Sequence, residues 1–365
     1  MPGDTPADGD WREGLKKAAA MVGWGEAKQS NIGRGIAIGV KNPIPASVSN
    51  AVVKLRADGS VTVAVGTTEM GQGARTTFTQ IAAEVLKVPV EQIKVIMGDT
   101  AIAPFDLATA GSRSKVTMGS AVMAACEDLL IQLRTIAREL GVIDGDEDAE
   151  LVNGTIRCGR YPISYGELLR QHLGSSQDEI AGQGMFQGKK DSRHPLGGLS
   201  DFWEVIFTSA EVEVNRATGR VAVRKLVSVS ELGLAINPLQ AEAQEEGSLI
   251  MGLGHTLMEE MVYDERGKLL NAGPLDYRIP TAMDIPIIET HLIENRDGPG
   301  PFGAKGIGEG PVIAVAPAIA DAVYDAVGVV IKDLPLTPER VWKALQAAGL
   351  DPKAEKSGRT FTESV

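Results

Sequence analysis

The 365-residue chain carries 36 basic and 48 acidic residues, a net charge of -12, and is 43% hydrophobic. These totals allow a large buried core and two domains or subdomains. They exclude a nucleic-acid binder working through a basic face, because Lys and Arg form no cluster, and the acidic balance predicts a soluble, cytoplasmic protein without naming a partner.

Cys126 and Cys158 lie far apart, and His172, His194, His255 and His291 form no ligand pair on one helical face. No zinc or iron–sulfur cluster is therefore expected on this chain's own side chains. The opening stretch MPGDTPADGDWREGLKKAAA lacks the apolar core of a secretion signal or a membrane span.

In chain order, AVVKLR (51–56) and VTVAV (61–65) read as strands joined by Asp58-Gly59, a hairpin signal. The loop GTTEMGQG (66–73) leads into a helix over 76–87, where Phe78, Ile81, Ala82, Val85 and Leu86 share a face. QIKVIM (92–97) makes the next strand, a long helix follows near 116–140, and 143–149 is an acidic loop. Strands near 208–214 and 220–230, joined by NRATG, begin the plan again. Asn237-Pro238 opens a helix over 240–260, and IIETHLIE (287–294) alternates like a strand. A helix follows Pro311, and Thr337-Pro338 opens a last short one ending at Gly349.

Both halves thus read hairpin, polar or glycine-rich loop, helix, strand. This predicts an α+β fold of two related subdomains with mainly antiparallel sheets and packed helices. The expected divisions are an N-terminal extension (1–30), a first subdomain (31–175), a Gly/Ser-rich connection (176–205), a second subdomain (206–350) and a polar tail (351–365).

Three polar loops precede helices. In TTEMGQG (67–73), Gly71 and Gly73 flank Gln72, so backbone N–H groups and a carboxamide converge either on an anion and a heterocycle edge or on solvent. In TAGSRS (109–114), Ser112 and Ser114 suit a helix cap, and with Arg113 they equally suit a phosphate. In FGAKGIGEGP (302–311), Glu309 is an electrostatic cap or a general base in a pocket cleared by glycines.

Six separated stretches agree in order with one family: GTTEMGQGARTTFTQIAAEVL, GDT…TAGSRS…GSA, AINP…AQEEGSLIMGLGHTLMEE, LDYRIPTAMDIP, PFGAKGIGEGP and LPLTPERV. From about Trp24 almost to its end the chain resembles the C-terminal half of the molybdopterin-binding subunit of the xanthine dehydrogenase and aldehyde oxidase family, the molybdenum hydroxylases. The resemblance implies that Met70, Gly71 and Gln72 contact the pterin or its phosphate. It places Gly111, Ser112, Arg113 and Ser114 at the phosphate end, Gln244 at the cofactor and Glu309 as the catalytic base. The cofactor is molybdopterin, as mononucleotide or cytosine dinucleotide, with molybdenum held by the pterin dithiolene and by no protein ligand.

The implied activity is hydroxylation of an electron-poor carbon of an N-heterocycle or aldehyde with oxygen from water. The implied setting is a split enzyme whose partners are a complementary N-terminal-half subunit, a 2Fe-2S subunit and an FAD subunit. A non-catalytic chain that holds or assembles the cofactor is the alternative; it needs the pterin loops but no base. Ala243-Gln244 replaces the family's Gly-Gln, Gly247-Ser248 replaces a glycine pair, and Gly308-Glu309-Gly310-Pro311 replaces Gly-Glu-Pro-Pro. These departures leave the substrate open.

Overall fold

The computed structural model describes residues 9–41, 48–143, 149–158, 161–174, 178–188 and 202–350. The first half contains α1 (Trp11–Met21), β1 (Ile32–Lys41), β2 (Val48–Arg56), β3 (Val61–Val65), α2 (Ala74–Leu86), β4 (Ile93–Met97) and α3 (Ser114–Glu139). Short elements follow: β5 (Glu150–Val152), β6 (Thr155–Cys158), β7 (Tyr161–Ser164), α4 (Tyr165–Leu173) and β8 (Glu179–Gln187). The second half holds β9 (Glu204–Val214), β10 (Val221–Glu231), α5 (Pro238–Leu257), β11 (Ile287–Ile293), α6 (Val312–Val327) and α7 (Pro338–Ala347).

β2 alternates along its length, burying Ala51, Val53 and Leu55. It pairs antiparallel with β3 and β8, and β4 joins β3 in parallel, giving the order β4-β3-β2-β8. The parallel step requires a crossover, which α2 supplies while burying Phe78, Ile81, Ala82 and Leu86. α3 lies across β2 and β8. One stretch of α3 is long and apolar enough to cross a bilayer, but 61% of it is buried inside the protein.

The second sheet repeats the design. β9 pairs antiparallel with β1 and β10, β11 runs parallel to β10 after the α5 crossover, and α6 lies on β1 and β9. Each half is therefore hairpin, helix, parallel strand, helix, with one flanking strand. The flanking strands share a device: a methyl group at Gly184 of β8 would sit 2.0 Å from the Ala121 carbonyl of α3, and one at Gly35 of β1 would sit 2.1 Å from the Ala318 carbonyl of α6. Only glycine lets these helix backbones rest on the strands.

Two expected divisions change. β1 pairs with β9 from Ile32↔Glu213 to Lys41↔Glu204, so residues placed in the first subdomain belong to the second sheet. β8 falls inside the expected connection yet pairs with β2 from Val48↔Gln187 to Arg56↔Glu179. Residues 176–177 and 189–201 of that connection, residues 144–148 of the acidic loop, residues 1–8 and the tail 351–365 lie outside the described residues. The extension itself carries α1, whose Asp10 accepts the Glu13 N–H at 2.8 Å as a cap and whose Ala18 is buried with Trp203, Phe207 and Val229. A small sheet of β5, β6 and β7, followed by α4, joins the first core, and Tyr165 of α4 donates its hydroxyl to the Leu86 carbonyl at 2.9 Å.

Candidate active site

The repeat brings four helix N-termini to one cavity of about 370 Å³. The start of α2 contributes Met70, Gly71 and Gln72; that of α3 contributes Gly111, Ser112, Ser114 and Lys115. The start of α5 contributes Asn237, Gln240 and Gln244, and that of α6 contributes Gly308 and Glu309. Helix N-termini carry partial positive charge and backbone donors without intrahelical partners, so their convergence favours an anionic group. Every expected cofactor residue except Arg113 lines this cavity.

The GQG loop differs from expectation in one respect. The backbone N–H groups of Gly71 and Gly73 are not offered to a ligand: with that of Arg75, at 3.0, 3.0 and 2.9 Å, they donate to the Glu69 carboxylate. Burial pushes this carboxyl up, but the three backbone donors win and hold it below its ordinary value. Gln72 closes the loop, accepting from Met70 N at 2.7 Å and donating to the Thr68 carbonyl at 2.9 Å. Met70 stands on the rim, 66% exposed. Sequence reading overlooked Glu69, although an acid two residues before a glycine-rich helix start is the signal for such an internal anion.

The GSRS turn is corrected at Arg113. Its guanidinium is fully buried and donates to Asp106 Oδ1 (2.7 Å), the Ala108 carbonyl (2.6 Å) and Ser49 Oγ (2.7 Å), away from the cavity. Asp106 also accepts from Thr67 Oγ1 at 2.7 Å, so the pair ties the GSRS turn to the GQG loop and to β2. Neither serine caps α3: Arg113 occupies the N-cap and no side chain bonds there. Ser112 instead takes a left-handed φ of 59° and accepts from Lys41 Nζ at 2.5 Å, while Lys41 pairs with Glu204 at 3.2 Å.

Glu309 is exposed at the cavity, just before α6, and its carbonyl accepts from Val312 N at 3.4 Å. Two of the glycines around it serve close packing of the chain on itself. A methyl at Gly306 would sit 2.3 Å from the Ser112 carbonyl, and one at Gly310 would sit 2.6 Å from Glu204 Oε2. They let the loop press onto the GSRS turn and β9. Ser248 fixes it from α5, donating to the Gly308 carbonyl at 3.0 Å.

Behind the cavity lies a polar cluster that sequence reading missed. Glu245, on α5, is buried and accepts from Ser228 Oγ and Ser230 Oγ of β10, both at 2.5 Å. Burial pushes its carboxyl up to about 7; the two hydroxyls pull it back, and the Glu204 charge adds to the rise. Burial likewise pulls the Lys115 ammonium down to about 8, against Glu204, Glu245 and Glu294. The available signal was Ser228 and Ser230 alternating within the buried run LVSVS (226–230) of β10.

The donor set fits molybdopterin. Among the described residues no group of three His, Cys, Asp or Glu is placed to hold a metal ion. The cavity offers the carboxamides of Gln72, Gln240 and Gln244 and the hydroxyls of Ser112 and Ser114, groups that suit a polar heterocycle bearing a phosphate. Among the described residues the buried side-chain oxygen of Gln240 has no hydrogen-bond partner, which leaves it as an acceptor for an N–H donor.

Residues 8–286 match the model of the molybdopterin cofactor-binding domain. The chain is 31% identical over 359 residues to the xanthine dehydrogenase molybdenum-binding subunit of Escherichia coli O157:H7, covering 93% of this chain and 46% of that one. It is 31% identical to the carbon monoxide dehydrogenase large chain of Hydrogenophaga pseudoflava, covering 92% and 41%. The crystal structure of reconstituted CO dehydrogenase from Oligotropha carboxidovorans superposes with a TM-score of 0.81 at 25% identity, over 95% of this chain and 46% of that one. The chain thus spans about half the length of the relatives it matches. With the cavity and the matching domain in agreement, the chain belongs to the molybdopterin cofactor-binding domain family, and it is similar to the molybdenum-binding subunit of xanthine dehydrogenase and the large chain of carbon monoxide dehydrogenase.

Proposed function

We propose that the chain is the C-terminal half of the cofactor-binding subunit of a molybdenum hydroxylase, acting on an electron-poor carbon of an N-heterocycle or an aldehyde. One observation carries this reading: Gln72, Ser112, Ser114, Gln244 and Glu309, from four separate helix starts, line a single cavity. When bound, molybdopterin supplies the metal through its dithiolene sulfurs and takes up the two electrons of the oxidation.

The chain's own residues bind, orient and move a proton. Ser112 and Ser114 hold the phosphate end at the start of α3, within the field of the converging helices. Gln72, Gln240 and Gln244 take the polar edge of the pterin, with the unpartnered Gln240 oxygen as an acceptor. Glu309 accepts a proton from the attacking water-derived oxygen at its carboxylate. Its reach is set by the contacts of Gly306 and Gly310 with Ser112 and Glu204 and by the Ser248 bond to Gly308. Arg113 has no direct part; it holds Ser112 and Ser114 in place from behind.

The half of the subunit that this chain does not span closes the cavity, and 2Fe-2S and FAD partners in a cytoplasmic complex carry the electrons away. Co-expression with a polypeptide carrying the unmatched half, followed by purification and molybdenum analysis, tests this. About one molybdenum per complex is expected, with little on the chain alone. A solitary chain that is metal-loaded and turns over substrate would contradict the split reading.

A further inference from the structure

Between α5 and β11, residues 258–286 form neither helix nor strand beyond one isolated bridge, Tyr263↔Leu269. Connections this long without regular structure are uncommon in compact domains and usually functional. Polar bonds set the course of this strap. Asp264 N donates to the Lys268 carbonyl and Leu270 N to the Val262 carbonyl, at 2.9 and 2.8 Å. Asn271 Oδ1 accepts from Val262 N at 2.9 Å, Thr281 Oγ1 donates to Asp284 at 2.7 Å, and Glu260 is clamped by Arg340 at 2.5 Å.

The large apolar side chains of the strap are left exposed. Leu275 is 91% exposed, Met283 89% and Ile279 64%, and Met261, Tyr263 and Leu270 are all more than half exposed. An apolar run of this extent on one segment marks an interaction surface.

We infer that the strap is a docking surface for the half of the subunit that this chain does not span; this rests on the reading under Proposed function. Three observations select that occupant. The family match runs through residue 286, so the strap belongs to the shared domain and is not an addition. The matched relatives carry a further half beyond this domain. A second apolar group, Met70, Phe105, Leu107 and Leu239, is more than half exposed, with Met70 on the cavity rim and Leu239 at the opposite end of α5 from the strap. At 1.5 Å per residue those ends are about 30 Å apart, so an occupant touching both has the dimensions of a domain.

The test co-expresses the full chain, wild type or carrying Leu275→Asp with Met283→Asp, with a tagged polypeptide bearing the unmatched half. Both substituted side chains are exposed, so the double variant keeps the melting temperature of the chain. Its complex should dissociate on dilution at a concentration at least about 30-fold higher, the effect of losing one interface hot spot or more. Hydrogen exchange on the wild-type complex should show strap amides slowed relative to the chain alone. A variant that assembles like wild type, with no slowing across the strap, overturns the docking surface while leaving the split reading intact. A wild-type chain that captures none of the unmatched half overturns both. A wild-type chain that sediments alone as a dimer, reduced to monomer by the double substitution, makes a second copy the occupant and also overturns the inference.

Discussion

Arg113→Ala separates a buried staple from a phosphate ligand, because the two roles fail in different assays. The guanidinium is 0% exposed, and its Asp106 partner is 2% exposed at 2.7 Å. Truncation removes the guanidinium bonds to Asp106, Ala108 and Ser49 and leaves the buried Asp106 carboxylate with neutral donors from Ser49, Thr67 and Leu107 among the described residues. Breaking one side of such a pair costs about 3–5 kcal/mol. The ratio of folded to unfolded chain should then fall by roughly two to three and a half powers of ten. Urea midpoints of the purified chain read this directly, without any cofactor. Arg113→Lys keeps the charge but not the forked donors, so its midpoint should fall between the two. Molybdenum content of the assembled complex should fall only in step with the folded fraction. An Arg113→Ala chain with a wild-type midpoint whose complex lacks metal would put the guanidinium back on the cofactor.

Gly306→Ala should destabilise by about 1–3 kcal/mol, since its methyl has nowhere to go between the Ser112 carbonyl and the Phe202 ring; an unchanged urea midpoint would show that the loop does not press on the GSRS turn. Glu245 holds its proton up to about pH 7 in the folded chain but to about 4.5 when unfolded. Between those values the folded state binds more protons, so stability falls as pH rises, by roughly 3 kcal/mol at about 1.4 kcal/mol per pKa unit. Glu245→Gln should flatten that fall relative to wild type in urea titrations at pH 5 and pH 7.5, and an equal slope in both proteins would contradict the buried neutral carboxyl.

Local pattern carried the hairpins, the helices and the position of Glu309 at a helix start, because these depend on neighbours within a few residues. The direction of Arg113 did not follow from its turn. An arginine among Gly and Ser serves a phosphate or an internal carboxylate alike, and the choice was made by Asp106 and by Ser49 on β2. β1 was missed because IGRGIAIGVK reads as broken by glycine, whereas Gly35 is the seat of α6, which lies in the other half of the sequence. The close packing of Gly306 and Gly310 was hidden for the same reason. The space they leave is filled by Ser112 and Glu204, residues from 71 and 163 positions after Lys41, which joins them. Glu69 was legible in principle, since its bonds reach only two, four and six residues ahead.

The most direct measurement is the reductive half-reaction of Glu309→Gln in the assembled complex, with molybdenum determined on the same preparation. The substitution preserves size and removes proton-accepting power. General-base catalysis contributes about 10²–10⁴-fold, so substrate-dependent reduction should slow by at least that range while molybdenum content and the melting temperature stay at wild-type values. A Glu309→Gln complex that is fully loaded with molybdenum and reduced by substrate at near wild-type speed would contradict the assignment of Glu309 as the base.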